Sequence, residues 1–321
     1  MEVTWRRFVL YFFIIVVLSA ETGKCQLCEN FYAETCPMVE TLVKHVVYKK
    51  VDKEIAGVAD ILRLYFHDCM VEGCDASIMI ESQKGDSEKN APENQSLDHD
   101  GFDMVIEAKK VVESVCPGVV SCADILAIAT RDCVVRAGGP WYNVDLGRRD
   151  GHISRASRVA RNIPKSTYNL QKLTKMFVKK NISQYDMIAL SGAHTVGVSH
   201  CKSFADRLYS KYDPSLNSTY AKELLATCPK NADPTITINM DPDTPNTFDN
   251  VYYKNILAGK GLLTSDVVLY TNSSSREIVT KFANNPEDFN AAFIAAMRKL
   301  GHVGVKVGNQ GEIRRDCTSF N

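Results

Sequence analysis

One stretch of the sequence reads Arg63-Leu64-Tyr65-Phe66-His67-Asp68-Cys69-Met70-Val71-Glu72-Gly73-Cys74-Asp75-Ala76-Ser77. The prediction of fold and function depends on it, because it concentrates side chains that can do chemistry. Apolar residues at Ile61, Leu62 and Leu64 indicate that it begins as a helix. Arg63 and His67 then lie on one face, about one turn apart. An isolated pair of this kind is usually a buried histidine beside a surface arginine, but the residues that follow favour a shared cavity.

The second half of the stretch offers the ligands that calcium prefers. Its oxygen donors are the side chains of Asp68, Asp75 and Ser77 and the main-chain carbonyls of Val71 and Gly73. Cys69 and Cys74 can close a small loop that turns those carbonyls inward. Since Ca²⁺ takes about 6–8 oxygen ligands in protein sites, the sequence predicts a helix that leads directly into a calcium-binding turn.

A second histidine, His194, lies between glycines in Gly192-Ala193-His194-Thr195-Val196-Gly197, which allows a flat ligand to approach closely. This motif is weak evidence when it stands alone. It gains weight from the segment Asp241-Pro242-Asp243-Thr244-Pro245-Asn246-Thr247-Phe248-Asp249-Asn250, whose acidic and hydroxyl oxygens suit a second calcium ion. Asp266, in Leu263-Thr264-Ser265-Asp266, adds a carboxylate.

The composition is that of a globular, exported protein. The chain has 321 residues, of which 45% are hydrophobic and 24% charged, so a disordered chain or one that crosses a membrane several times is excluded. Lysine plus arginine equals aspartate plus glutamate at 38 each, so no net positive field attracts nucleic acid. Eleven cysteines indicate an oxidising compartment.

The N-terminus has the pattern of a secretory signal peptide. Arg6 and Arg7 precede the apolar run from Phe8 to Leu18, and small and polar residues follow. A membrane anchor is the alternative, but eleven apolar residues fall short of the roughly 20 that a spanning helix needs. We therefore expect residues 1–25 to be removed, so that the mature chain is extracellular and not membrane-bound. Four glycosylation sequons follow, at Asn94, Asn181, Asn217 and Asn272.

Helical periodicity dominates the rest of the chain, and strand-like alternation is scarce. Apolar residues recur at helical spacing around Val43, Val105 and Ile125, and Ser121 and Asp124 form a helix-entry signal before the last of these. Glycines and prolines such as Gly138-Gly139-Pro140 end the helical segments. The prediction is an all-α fold of about ten helices, with long loops at 81–101 and 147–168 of the kind that are usually functional.

Taken together, these motifs resemble the secretory plant haem peroxidases (class III, horseradish type) over residues 26–317, and the two histidine motifs carry the resemblance. It implies one haem-peroxidase domain at 26–321, with a distal half at about 26–165, a proximal half at about 166–300 and a C-terminal segment tied back by Cys317. The cofactors implied are one haem b and two calcium ions.

The resemblance also implies a role for each site residue. His194 matches the proximal haem ligand and Asp266 its carboxylate partner. Arg63 and His67 match the distal catalytic pair, Phe66 the ring at the haem edge, Asn94 the amide that orients His67, and Pro164 the substrate-channel proline. The distal calcium ligands would be Asp68, Val71, Gly73, Asp75 and Ser77, joined through water by Glu88, and the proximal ligands Thr195, Asp241, Thr244, Thr247 and Asp249. The family disulfides would be Cys36–Cys116, Cys69–Cys74, Cys122–Cys317 and Cys201–Cys228.

The expected activity is that of a monomeric secreted peroxidase (EC 1.11.1.7) of the cell wall, which reduces H₂O₂ and oxidises small phenolic donors. Departures from the family pattern occur at Tyr65, Met70, Asp60, Lys165-Ser166 and Asp98-His99-Asp100. They leave the peroxide chemistry intact but bear on the choice of donor. Cys28 and Cys133 have no partner in the family pattern, so they either pair with each other or stay as buried thiols.

Two other classes of function share some of these features. A haem-less, calcium-stabilised scaffold that binds polysaccharide or a receptor would keep the disulfides and calcium sites, but it would not require Arg63, His67, Asn94, His194 and Asp266 together. A zinc hydrolase that uses His67 and His194 lacks the short-spaced ligand pair usual in such sites. An absorption spectrum separates the three, because only the peroxidase has a Soret band.

Overall fold

The computed structural model describes residues 27–209 and 213–321, and these residues are mostly helical. They contain twelve α-helices, several short 3₁₀ turns and one small two-stranded sheet, so the all-α prediction is confirmed. The predicted signal peptide, residues 1–25, lies outside the described residues and stays a prediction. No helix in the described ranges is both long and apolar enough to cross a membrane.

Four long helices build the first half of the molecule. They are α1 (Val39–Lys53), α2 (Gly57–Val71), α3 (His99–Val115) and α4 (Cys122–Arg136). Helices α1 and α2 each pack against α3 and α4. The predicted helix entry at Ser121 is present, because its hydroxyl accepts from the Asp124 N–H at 3.1 Å and so satisfies one of the free donors at the start of α4.

The second half has shorter helices. They are α5 (Leu170–Val178), α6 (Gln184–Ser191), α7 (Ala205–Leu208), α8 (Ser218–Thr227), α9 (Val251–Leu257), α10 (Thr264–Thr271), α11 (Ser273–Asn284) and α12 (Pro286–Leu300). Strands β1 (Val198–His200) and β2 (Thr237–Asn239) pair antiparallel, with Ser199 opposite Ile238. Ser183 and Asp186 form a reciprocal capping box that fixes the start of α6.

The two halves share one hydrophobic core, to which helices of both contribute. They also meet where the site forms: α2 contacts the 3₁₀ turn Gly192–Thr195, which directly follows α6. Near this contact the backbones approach so closely that a Cβ on Gly197 would lie 2.6 Å from the Ala59 side chain. The histidine of α2 and the histidine of the 3₁₀ turn therefore come from opposite halves of the fold.

The described part of the chain contains four disulfides. They join Cys36 to Cys116, Cys69 to Cys74, Cys122 to Cys317, and Cys201 to Cys228. These are the pairs that the family resemblance implies. Cys133 is a free, buried thiol, so it forms no disulfide with Cys28. The backbone of Cys28 instead forms a bridge with Leu146.

The C-terminal segment packs directly onto the turn after α2. A Cβ on Gly73, which has φ 114°, would lie only 2.4 Å from the Gly304 carbonyl oxygen, so this close approach requires glycine. The Cys74 N–H donates to the Val303 carbonyl at 2.9 Å. The loop that holds the predicted distal calcium ligands is therefore covered by residues more than 200 positions later in the sequence.

Candidate active site

His67 is held by an amide that fixes which of its ring nitrogens carries the proton. Its Nδ1 lies 2.7 Å from Asn94 Oδ1, and Asn94 Nδ2 donates to the Glu88 carbonyl at 2.8 Å. Because the Asn94 amide nitrogen is used elsewhere, its oxygen faces the ring and can only accept a hydrogen bond. Nδ1 of His67 is then the protonated nitrogen, and Nε2 keeps its lone pair.

The environment keeps His67 neutral. Burial and the nearby Arg63 guanidinium lower the pKa of His67 to about 3, and the Asn94 hydrogen bond offsets only part of this fall. Both Asn94 and His67 are buried. At neutral pH Nε2 is therefore unprotonated and can act as a base that accepts a proton.

Arg63 is on the same face of α2 as His67, as the sequence predicts. Its guanidinium donates to the Ser96 carbonyl at 2.5 Å and to the Ser96 hydroxyl at 2.9 Å. Ser96 was not singled out from the sequence except as the third residue of the Asn94 sequon, and nothing local marks it as a partner of Arg63. The loop Asn94–Ser96 thus holds both distal side chains.

His194 is held by a carboxylate instead of an amide. Its Nδ1 lies 3.0 Å from Asp266 Oδ1, and its side chain is 41% exposed, which leaves Nε2 accessible to a ligand. Burial disfavours the charged imidazole, but the Asp266 carboxylate outweighs burial and raises the pKa of His194, while Arg63 lowers it. Since Arg63 lowers the pKa of both histidines, both imidazoles lie within electrostatic range of the same guanidinium.

Two further residues lie around this pair. The Phe66 ring stacks on Phe177 of α5 with centroids 5.8 Å apart, so it joins the two halves. Tyr252, which sequence reasoning missed, makes an edge contact with the His194 ring at 5.9 Å. The Tyr252 hydroxyl and Asp266 Oδ2 are both buried and lack a well-oriented hydrogen-bond partner in the described residues. Burial and the nearby charge of Asp266 raise the pKa of Tyr252.

The predicted distal calcium ligands form a buried oxygen cluster beside His67. Asp68 Oδ2 accepts from the N–H groups of Asp75 and Ala76, at 3.0 and 2.9 Å. The hydroxyl of Ser77 and both carboxylate oxygens of Glu88 are buried and have no hydrogen-bond partner in the described residues. Burial and the charges of Asp68 and Asp75 raise the pKa of Glu88 to about 9, although the nearby Ser77 hydroxyl offsets part of the rise.

The predicted proximal ligands converge in the same way next to His194. Thr195 Oγ1 lies 3.2 Å from Asp249 Oδ1, 3.4 Å from Asp241 Oδ2 and 3.5 Å from the Thr247 carbonyl. Thr244 Oγ1 lies 3.2 Å from the same Asp249 oxygen. Oxygen atoms from five residues are thus gathered at one point, as the sequence pattern implies for a hard cation.

Two of the departures from the family pattern, Asp60 and the segment Asp98-His99-Asp100, prove to be neighbours. Carboxylate oxygens of Asp60, Asp98 and Asp100 lie within 4.8 Å of one another. Burial, Asp98 and Asp100 raise the pKa of Asp60 to about 7, and Arg63 lowers it. The sequence shows these residues as separate changes, whereas in the structure they form one acidic group next to Arg63.

Pro164, the predicted substrate-channel proline, lies in the loop before α5. Pro164 is half-buried and Lys165 is exposed. The adjacent Ser166 donates to the Ser203 carbonyl at 2.9 Å and accepts from the Ser265 N–H at 2.7 Å. The loop that carries the substrate-channel departure is therefore fixed to the residue that precedes Asp266.

Comparison with known proteins shows the family to which this chain belongs. The family model described as "Peroxidase" matches residues 43–285. Peroxidase 55 of Arabidopsis thaliana is 52% identical over 313 residues, which cover 96% of this chain and 94% of the relative. Peroxidase 51 of the same plant is 51% identical and covers 98% of each. Peroxidase 66 of Zea mays is 44% identical and covers 96% of this chain and 94% of the relative.

The chain therefore belongs to the peroxidase family and is an oxidoreductase with peroxidase activity. Within that family it is a plant secretory peroxidase of class III, since relatives at about 50% identity over nearly the whole chain are plant peroxidases. This result favours the peroxidase interpretation over the calcium-stabilised scaffold and the zinc hydrolase.

Proposed function

We propose that this peroxidase is a secreted, monomeric haem enzyme that reduces H₂O₂ to water and oxidises small phenolic donors in two one-electron steps. The observation that carries the proposal is the pair of histidines from opposite halves of the fold. Each has its Nδ1 engaged, by Asn94 in one case and by Asp266 in the other, so each has Nε2 available. One nitrogen then suits proton transfer and the other suits metal ligation.

The residues around His194 fit a haem iron. A neutral histidine whose Nδ1–H is bound by a carboxylate is a strong donor through Nε2, and such partners fix the orientation of metal-binding imidazoles. The bound haem would supply the iron that takes the peroxide oxygen and stores the oxidising equivalents. His194 would hold that iron, and Asp266 would keep the imidazole in place.

The distal residues would move the proton and stabilise charge. His67 Nε2 accepts a proton from one oxygen of H₂O₂ and returns it to the other oxygen, which leaves as water. Arg63, which lies on the same face of α2 as His67 and lowers its pKa, would stabilise the negative charge that develops as the O–O bond breaks. Asn94 contributes by keeping the proton on Nδ1, so that Nε2 is the basic nitrogen.

Both oxygen clusters fit calcium. A bound cation would stabilise the distal cluster. The Ser77 hydroxyl and both Glu88 carboxylate oxygens are buried without a hydrogen-bond partner in the described residues, and burying a carboxylate without a partner costs free energy. Asp68 directly follows His67, and Thr195 directly follows His194. Each ion would therefore brace the backbone next to one histidine. The donor would approach near Phe66 and Pro164, next to Lys165, which is exposed.

Secretion to the cell wall is supported by the four disulfides and by the exposure of three sequons, Asn181, Asn217 and Asn272. Oxidised disulfides and N-linked glycans both belong to the secretory route.

The proposal is tested on the purified enzyme with His67→Leu and, as a control, His45→Leu, since His45 is an exposed residue of α1. The native protein should show a Soret band and H₂O₂-dependent oxidation of a simple phenol. His67→Leu should keep the Soret band but react with H₂O₂ at least about 10²–10⁴-fold more slowly, whereas His45→Leu should match the native protein. A missing Soret band would exclude the haem, and a near-native rate for His67→Leu would exclude the distal assignment.

A further inference from the structure

Two lysines contact predicted ligands of the distal calcium cluster. The Lys306 ammonium, from the C-terminal segment, pairs with Asp75 Oδ2. Lys180, just after α5, donates to the Val71 carbonyl at 3.1 Å. Neither lysine belongs to the ligand set that the sequence motifs imply, and both come from far along the chain.

The ion pair between Lys306 and Asp75 involves a buried carboxylate. Asp75 is 1% exposed, and its other oxygen, Oδ1, accepts from the Ser77 N–H at 3.0 Å. The backbone of Lys306 is fixed independently, because its carbonyl accepts from the Arg149 N–H at 2.8 Å. The side chain of Lys306 can therefore withdraw from Asp75 without any movement of the C-terminal segment.

Within residues 27–209 and 213–321, no lysine or arginine contacts the proximal cluster in this way. Its carboxylates are bound by main-chain N–H groups, by threonine hydroxyls and by the Asn255 amide, which donates to Asp241 Oδ1 at 2.9 Å. In the described parts of the chain, no lysine or arginine side chain donates to an oxygen of Thr195, Asp241, Thr244, Thr247 or Asp249. The two clusters thus differ in charge as well as in position.

We propose that Lys306 is a resident counter-ion of the distal calcium cluster and lowers the calcium affinity of that site. This inference rests on the proposed function, because it takes the cluster to be a calcium site. An ion that binds Asp75 either displaces the ammonium or shares the carboxylate with it. In both cases a positive charge already present there weakens the binding of a second one.

The Lys306 contact also couples the ion to the C-terminal segment. Arg314 in that segment donates to the Ala76 carbonyl at 2.8 Å, and Cys317 joins it to α4. Lys306 is thus one of two cationic residues of the C-terminal segment, with Arg314, that contact the turn after His67, and it is the one that pairs with a predicted calcium ligand. Neutralising Lys306 should change calcium binding and leave these other attachments in place.

The test compares Lys306→Met with the charge-retaining Lys306→Arg in the haem-loaded enzyme. Lys299→Met is a matched control, since Lys299 also pairs with a buried aspartate, Asp186, but on α6. Each protein is equilibrated in calcium buffers over a range of free Ca²⁺, and the bound calcium is then counted by elemental analysis. Thermal unfolding at the same free Ca²⁺ gives a second measure of binding, and Lys306→Gln serves as a second neutral variant.

We expect one of the two calcium-release steps, that of the distal cluster, to move to about tenfold or more lower free Ca²⁺ in Lys306→Met, and to stay unchanged in Lys306→Arg and Lys299→Met. An unchanged step in both neutral variants, or an equal shift in Lys299→Met, would overturn the inference. A native enzyme that shows its Soret band but holds no calcium at any concentration would also overturn it, while leaving the haem assignment intact.

Discussion

Asn94→Val tests whether a single amide sets the tautomer of the catalytic histidine. The substitution keeps a side chain of similar width but removes the oxygen that lies 2.7 Å from His67 Nδ1 and the amide group that donates to the Glu88 carbonyl. The buried ring then has no acceptor for its Nδ1 proton. The proton can move to Nε2, and the nitrogen that should take the peroxide proton is no longer a base.

The size of the effect follows from the cost of an unsatisfied buried donor. Leaving such a group unpaired costs about 1–3 kcal/mol, which corresponds to roughly 5- to 150-fold in rate. Loss of a residue that orients a histidine typically costs about 10–100-fold. We therefore expect Asn94→Val to lower the second-order rate of reaction with H₂O₂ by about 10- to 100-fold, with haem still bound because Asn94 does not contact His194.

Stopped-flow mixing with H₂O₂, followed in the Soret region, measures this rate directly. The matched control is Asn250→Val, because Asn250 is also a buried asparagine whose amide donates to two carbonyls, those of Phe282 and Ala283, at 2.9 and 3.0 Å. Asn250→Val should lower thermal stability and leave the peroxide rate near native. If Asn94→Val reacts within about twofold of native, or slows no more than the control, the tautomer argument is refuted.

Two further predictions follow from the same geometry. With the pKa of His67 at about 3, proton uptake removes the base only as the pH falls through that value. The peroxide rate should therefore hold down to about pH 4. The pH profile of the peroxide rate should also show a smaller step near pH 7, where Asp60 titrates, and this step should vanish in Asp60→Asn. A main midpoint of the profile near the ordinary histidine value of about 6.5 would contradict the pKa assigned to His67. Glycans should occur at some of Asn181, Asn217 and Asn272, which are exposed, and not at Asn94, which is buried. Peptide mapping that finds sugar on Asn94 in fully active enzyme would disprove the pocket around His67.

The local parts of this structure could be predicted from the sequence. Helix α2 and the common face of Arg63 and His67 follow from apolar spacing, because periodicity reports which residues share a side of a helix. The start of α4 follows from Ser121 and the acidic residue in the first turn. The assignments of His194, Asp266 and Asn94 came from the family resemblance, and the structure adds the contacts on which the proposed roles depend.

The contacts between distant segments could not be predicted. Lys306 meets Asp75 across 231 residues, and Ser96 meets Arg63 across 33. Neither partner has a local signal, since a lysine in a loop is usually solvated and a serine is common everywhere. Likewise, the grouping of Asp60 with Asp98 and Asp100 depends on how α2 packs against the start of α3. Such charge clusters emerge from tertiary packing, which periodicity and motif spacing do not encode.

In the proposed function the two histidines have different roles, and the side chain that binds Nδ1 of each ring sets its role. Both have Nδ1 held by a side-chain oxygen and Nε2 available. The partner of His67 is a neutral amide, which orients the ring but adds little charge, so burial and Arg63 dominate and the pKa falls. The partner of His194 is a carboxylate, whose charge outweighs burial and raises the pKa. In the proposed function, the same imidazole would thus serve once as a neutral base and once as an electron-rich ligand, because environments that drive two pKa values apart also separate the roles.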